Sequence, residues 1–108
     1  MQEGLQFDKK SIRTVVGKTA DFNELAKDCV AFANAKGGHL YIGIEDEEVL
    51  PPSAQNVSQT TADKLVRRMN ELTVNVAVKA EICIAENGGE FIDLTVFPSN
   101  SSIASTTK

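Results

Sequence analysis

Between residues 31 and 46 the chain reads Ala31-Phe32-Ala33-Asn34-Ala35-Lys36-Gly37-Gly38-His39-Leu40-Tyr41-Ile42-Gly43-Ile44-Glu45-Asp46. This is the densest run of side chains that could do chemistry: an amide, a cation, an imidazole, a phenol and two carboxylates around a glycine pair. Glycines at a helix end allow a sharp reversal into a strand and expose backbone amides beside Asn34, which as bare physics is a tight connection. A nucleotide phosphate loop is excluded. Such a loop follows a strand and opens a helix with Gly-Lys-Ser or Gly-Lys-Thr, whereas Gly37-Gly38 closes a helix and opens a strand. His39 and Tyr41 alternate with the buried set and project from one face of the strand. A lone histidine without a carboxylate or cysteine partner in sequence makes no catalytic unit, so both are read as structural filling. Cys29 and Cys83 lie far apart inside apolar patterns without a Cys-x-x-Cys pairing, and are read as small buried thiols with no disulfide or metal role. Phe22 and Phe32 are read as core residues rather than stacking platforms.

Those residues need a helix before them and a strand beneath them. From Asp21 to Lys36 the residues Phe22, Leu25, Ala26, Cys29, Val30 and Ala33 recur at spacings of three and four, the period of one helical face. Asp21 and Glu24 form a capping pair at its start, and Gly37 supplies the left-handed residue that ends it. In the strand that follows, Leu40, Ile42 and Ile44 alternate with the other residues, which places it in the middle of a sheet. Glu45 to Glu48 reads as an exposed acidic turn, and Pro51-Pro52 forbids regular structure until about Thr60. Thr60 and Asp63 read as a second capping pair before a shorter helix with Leu65, Val66, Met69 and Leu72 inward and Arg67 and Arg68 in water. Val74 to Ala85 alternates throughout and reads as one long strand. Asn87-Gly88-Gly89 turns it into a hairpin partner carrying Ile92, Leu94 and Val96, which Pro98 terminates. Leu5-Gln6-Phe7 is apolar enough for an extra strand.

A chain of 108 residues, 42% apolar and 24% charged, has the composition of one globular domain. No apolar run reaches the length of a membrane span and the N-terminus lacks signal-peptide character, so a cytoplasmic setting is expected. The net charge of −4 runs against an extended polyanion site, yet the charge is split. Lys9, Lys10, Arg13 and Lys18 face only Glu3 and Asp8 within the first eighteen residues, while Glu45, Asp46, Glu47 and Glu48 form a separate acidic block.

Ala31-Phe32-Ala33-Asn34, then Gly37-Gly38, then an Ile42-Gly43-Ile44 strand ending in Asp46 resembles the Schlafen AlbA-like domain. The resemblance extends upstream to Gln6-Phe7-Asp8-Lys9, where the family shows Glu-Phe-Lys, and downstream through the second helix to Phe91–Phe97 and Pro98. It implies an α+β fold in which a mixed four- to five-stranded sheet packs against two helices. Residues 1–98 form the domain on this reading, and residues 99–108 a polar tail of an N-terminal fragment of a longer bacterial protein. It also implies a DNA-binding role in a transcriptional regulator, with nucleic acid as the partner and no cofactor. Lys9, Lys10, Arg13 and Lys36 are then the expected phosphate contacts, beside Asn34, Gly37 and Gly38 at the turn.

Some Schlafen-type relatives are metal-dependent nucleases that use two glutamates from the first segment and an aspartate after the central strand. Here only Asp46 matches. Gln6 stands where a glutamate belongs, and Glu3 or Asp8 could substitute only through a register shift. Neither a catalytic residue nor a metal ligand is therefore expected. A third possibility is a homodimer formed along an edge of the long hairpin.

Overall fold

The structure is a computed structural model that describes residues 6–99 and 103–107. Four strands form a mixed sheet in the order β1 (Gln6–Lys10), β2 (Gly38–Ile42), β5 (Glu90–Val96), β4 (Val78–Ile84). β1 runs parallel to β2, and the other two pairings are antiparallel. β2 is internal, as its alternation requires. Leu40, Ile42, Ile92 and Leu94 are fully buried and Val96 nearly so. They share one cluster with Leu25, Cys29, Leu65 and Met69 from helices α1 (Phe22–Asn34) and α2 (Gln59–Leu72). Both helices therefore lie on the same side of the sheet, giving the expected α+β architecture.

Local signals account for α1. The Asp21 carboxylate accepts the Glu24 amide at 3.1 Å, and Gly37, at φ +83°, turns the chain back while its N–H donates to Phe32 O at 2.8 Å. Cys29 is buried as expected, and burial with the nearby Asp28 charge pushes its thiol up to about 12. Cys83 is only half-buried.

Three expectations change. The second helix starts one residue before Thr60, and its cap is Ser58, whose hydroxyl accepts the Thr61 amide at 3.1 Å; Asp63 instead accepts from the Gln59 side chain one turn back. Arg67 is exposed, whereas Arg68 pairs with Glu71 at 2.6 Å and, like Lys64, lies over the Phe22 ring. The strand expected from Val74 to Ala85 is broken. Asn75 adopts φ +63°, which ends β3 (Thr73–Val74) and lets β4 begin afresh at Val78. Alternation persists across the break, and so hides it.

Freed from the main sheet, β3 pairs antiparallel with β6 (Ser105–Thr106). Residues 103–107, expected within a polar tail, are thus held: Ala104 is buried, Asn75 Nδ2 donates to Ile103 O at 3.1 Å, and Thr107 N donates to Leu72 O at 2.9 Å. Apolar content alone did not reveal this, because the attachment is made by hydrogen bonds.

Gln55 is the central anchor of the long loop from Gly43 to Ser58. Gln55 Nε2 donates to Gly43 O and Glu90 O at 2.9 and 2.8 Å, and the Gln55 backbone carbonyl accepts the Glu90 amide at 2.9 Å. Asn87 Nδ2 ties Pro51 O to the hairpin turn at 2.8 Å. No described helix is long and apolar enough to cross a membrane.

Candidate functional site

The helices cover one face of the sheet. Strand periodicity then directs Phe7 and Lys9 of β1, His39 and Tyr41 of β2, Phe91, Asp93 and Thr95 of β5, and Lys79, Glu81 and Cys83 of β4 toward the other. Cross-strand register brings the rings together: Phe7 stands opposite His39, and Tyr41 lies one strand from both Lys9 and Asp93. The His39 and Tyr41 rings stack with centroids 5.8 Å apart and planes within 9°. Phe7 lies 6.2 Å from Tyr41 and is 69% exposed, and Phe91 meets Tyr41 edge-on at 6.1 Å. The result is an aromatic patch centred on Tyr41, partly open to solvent.

His39 does have a carboxylate partner, but in space rather than in sequence. Its Nδ1 lies 2.8 Å from Asp93 Oδ1 and 3.4 Å from Thr95 Oγ1. An ionised carboxylate only accepts, so Nδ1 carries the hydrogen and donates it to Asp93, which fixes the imidazole plane against Tyr41. The neighbouring thiol and phenol are not activated nucleophiles. Burial and the charges of Asp93 and Glu81 push the Cys83 thiol up, the opposite of activation. Burial, then Asp93 and Cys83, likewise raises the Tyr41 phenol, which stays neutral at physiological pH. What the face offers is a stacked His39–Tyr41 pair flanked by a tilted ring and an edge-on one.

The residues expected from sequence to bind an anion do not form one cluster. Lys9 points to the open face, where its Nζ donates to Glu48 O at 2.5 Å. Lys10 points to the helical side and pairs with Asp28 at 2.9 Å and more loosely with Asp8. Burial lowers its ammonium, but the Asp28 hydrogen bond and charge outweigh that and the net shift is upward. Arg13 is exposed in a 3₁₀ turn, Ile12–Thr14, capped by Ser11. Lys36 is exposed at the other end of the β1–β2 pair: Gly38 pairs with Gln6 and Ile42 with Lys10, so the two ends are about 13 Å apart. At that end Lys36 has company, because Gly38, Val96 and Val78 are in register and Lys79 follows directly.

The glycine turn does not present its amides as expected. Gly37 and Gly38 are buried, and the Gly37 N–H is used inside the turn. Asn34 is occupied as well. Its Nδ2 donates to Ala104 O at 3.0 Å and its Oδ1 accepts the Ala104 amide at 2.8 Å, the double contact of one strand residue with another. Asn34→Ala is expected to cost about 1–3 kcal/mol for two lost hydrogen bonds and to release β6. Chemical denaturation together with loss of amide-exchange protection at Ala104 checks this.

On the acidic side, Asp8, Glu45 and Asp46 line a shallow cleft that also contains Lys9, Lys10 and Ser11. Among the described residues no three His, Cys, Asp or Glu side chains gather as a metal site. Glu3 lies outside the described residues.

Comparison with known proteins bears on this arrangement. The family model described as Schlafen, AlbA_2 matches residues 3–108. Among curated proteins none matches the chain. The crystal structure of the DIP2311 protein from Corynebacterium diphtheriae is similar in fold, with a TM-score of 0.56 and 18% identity over 94% of this chain. The chain spans only 19% of that protein's length.

Proposed function

This chain belongs to the Schlafen AlbA_2 family, and on that premise we propose that it is a nucleic-acid-binding domain whose contact surface is the helix-free face of the sheet. One observation carries the choice of surface: the partly exposed aromatic patch of Phe7, His39, Tyr41 and Phe91. Rings on a sheet take unpaired bases by stacking, which tolerates any sequence because every base has a π face. Lys79, whose side chain is largely exposed, and Lys36 at the same end of the sheet supply phosphate contacts. Lys9 borders the patch at its acidic end.

An acidic domain gains little from long-range attraction, so stacking must provide most of the affinity. A weak salt dependence follows. Two neutralised phosphates on a single strand give a slope of about −1.4 in log K against log salt. The domain then supplies affinity in a transcriptional regulator, and sequence preference comes from elsewhere in a longer protein. Fluorescence anisotropy with labelled single-stranded DNA and RNA at low salt tests the reading. Saturable binding with that shallow slope is expected; no association with single strands or duplex would overturn it.

A further inference from the structure

β4 is an edge strand with an unusual amount of unused pairing capacity. The bonds Phe97 N to Ala77 O at 3.0 Å and Ala85 N to Gly89 O at 2.8 Å bracket the β4–β5 register. In an antiparallel ladder hydrogen-bonded pairs alternate, so Ala77, Lys79, Glu81, Cys83 and Ala85 direct their backbone groups to β5. Val78, Ala80, Ile82 and Ile84 consequently direct theirs away from the sheet, where no described strand lies. The edge lacks three of the usual protections, having no proline, no bulge in its register and a length of seven residues, and its two charges, Lys79 and Glu81, are of opposite sign. β1, the other edge, is shorter and carries Asp8, Lys9 and Lys10.

We infer that β4 pairs antiparallel with β4 of a second copy of this chain, with the two-fold axis at Ala80, so that Lys79 of each copy faces Glu81 of the other. The register follows from charge. Side chains must stay on matching faces, which restricts the axis to a residue position. An axis at Lys79 sets lysine against lysine, and one at Glu81 sets glutamate against glutamate. An axis at Ile82 leaves Glu81 opposite Cys83 and uses neither cation. Only the axis at Ala80 pairs opposite charges, and it does so twice by symmetry.

Lys79 and Glu81 then form non-hydrogen-bonded pairs, the type in which opposing side chains come closest. On the helical side Val78 meets Ile82, again twice, with Ala80 small at the axis. Within one copy Lys79 and Glu81 are 3.9 Å apart and each more than half exposed, so neither is committed to the fold. An axis perpendicular to the sheet keeps both aromatic patches on one side of a continuous sheet with four strands from each copy. The pairing does not rest on the nucleic-acid reading, although both use Lys79, so its test reads association of the chain alone.

Sedimentation equilibrium of the full chain across the micromolar range tests it. A monomer–dimer equilibrium is expected, and Lys79→Glu or Glu81→Lys alone should weaken it by about tenfold or more, since two attractive pairs become two repulsive ones. The double variant K79E/E81K should restore it. Ala80→Pro removes an outward N–H that β5 does not use, so it should abolish the dimer while circular dichroism and melting report an intact fold. A chain monomeric at every concentration, a dimer that survives Ala80→Pro, or single reversals that the double variant fails to rescue would each overturn the proposal.

Discussion

Tyr41→Ala is expected to weaken single-strand binding by about 5- to 150-fold, the value of one base stacked on one aromatic ring. Tyr41 is the residue to remove because it touches every other ring of the patch: His39 in parallel, Phe7 at a tilt and Phe91 edge-on. Its truncation withdraws the central π surface and frees its neighbours to rotate. Tyr41→Phe separates stacking from the hydroxyl, because it keeps the ring and should keep the affinity. Anisotropy titrations on both variants, with melting curves run alongside, make the measurement. Alanine leaving the affinity unchanged in a folded protein would remove the sheet face from consideration, whatever the wild type binds.

Gly38→Ala should destabilise the fold by about 3 kcal/mol or more and lower the melting temperature by about 12–24 °C. A Cβ there would lie 2.5 Å from Gln6 O and 2.9 Å from Phe32 Cδ2. The first is backbone of the neighbouring strand and cannot rotate away, so β1 must leave β2 or the residue must shift. Gly37→Ala meets Val96 O at 2.7 Å and a backbone at φ +83°, and a comparable loss is expected. Thermal melts of both variants settle what the pair is for. A glycine turn kept only for contact with an anion would tolerate alanine in the melt and lose binding instead. The geometry says the reverse: these two positions let three strands and a helix end approach closely.

Most of the framework was legible because its signals are local. Asp21, Glu24 and Gly37 lie within or beside the helix they delimit, and Asn87-Gly88-Gly89 sits at the turn it makes. Errors arose where a distant partner decides. Asn75 breaks a strand whose alternation continues on either side, and its left-handed turn is supported by Ile103, far along the chain. Asn34 looked like part of an anion-binding turn because Ala104, which takes both its hydrogen bonds, is an unremarkable residue in a polar stretch. The sequence shows no carboxylate beside His39 because Asp93 becomes its neighbour only when β2 pairs with β5. The aromatic patch had a usable signal: two helices cover only one side of a four-stranded sheet, so the alternate residues of β2 must remain open. The register that gathers Phe7 and Phe91 around them was not readable from spacing alone.

The attachment of the long loop through Gln55 has an electrical consequence. With Gln55 tying the loop that carries Glu45 to Glu48 to Gly43 and Glu90, the charge is separated, with carboxylates beyond the end of β2 and Lys36 and Lys79 at the opposite rim. Screening confines its reach to about 8 Å at physiological ionic strength, so it acts on the final approach rather than on capture from a distance. On the proposed function, a linear polyanion meets repulsion at one rim and attraction at the other, which sets the side from which it reaches the rings.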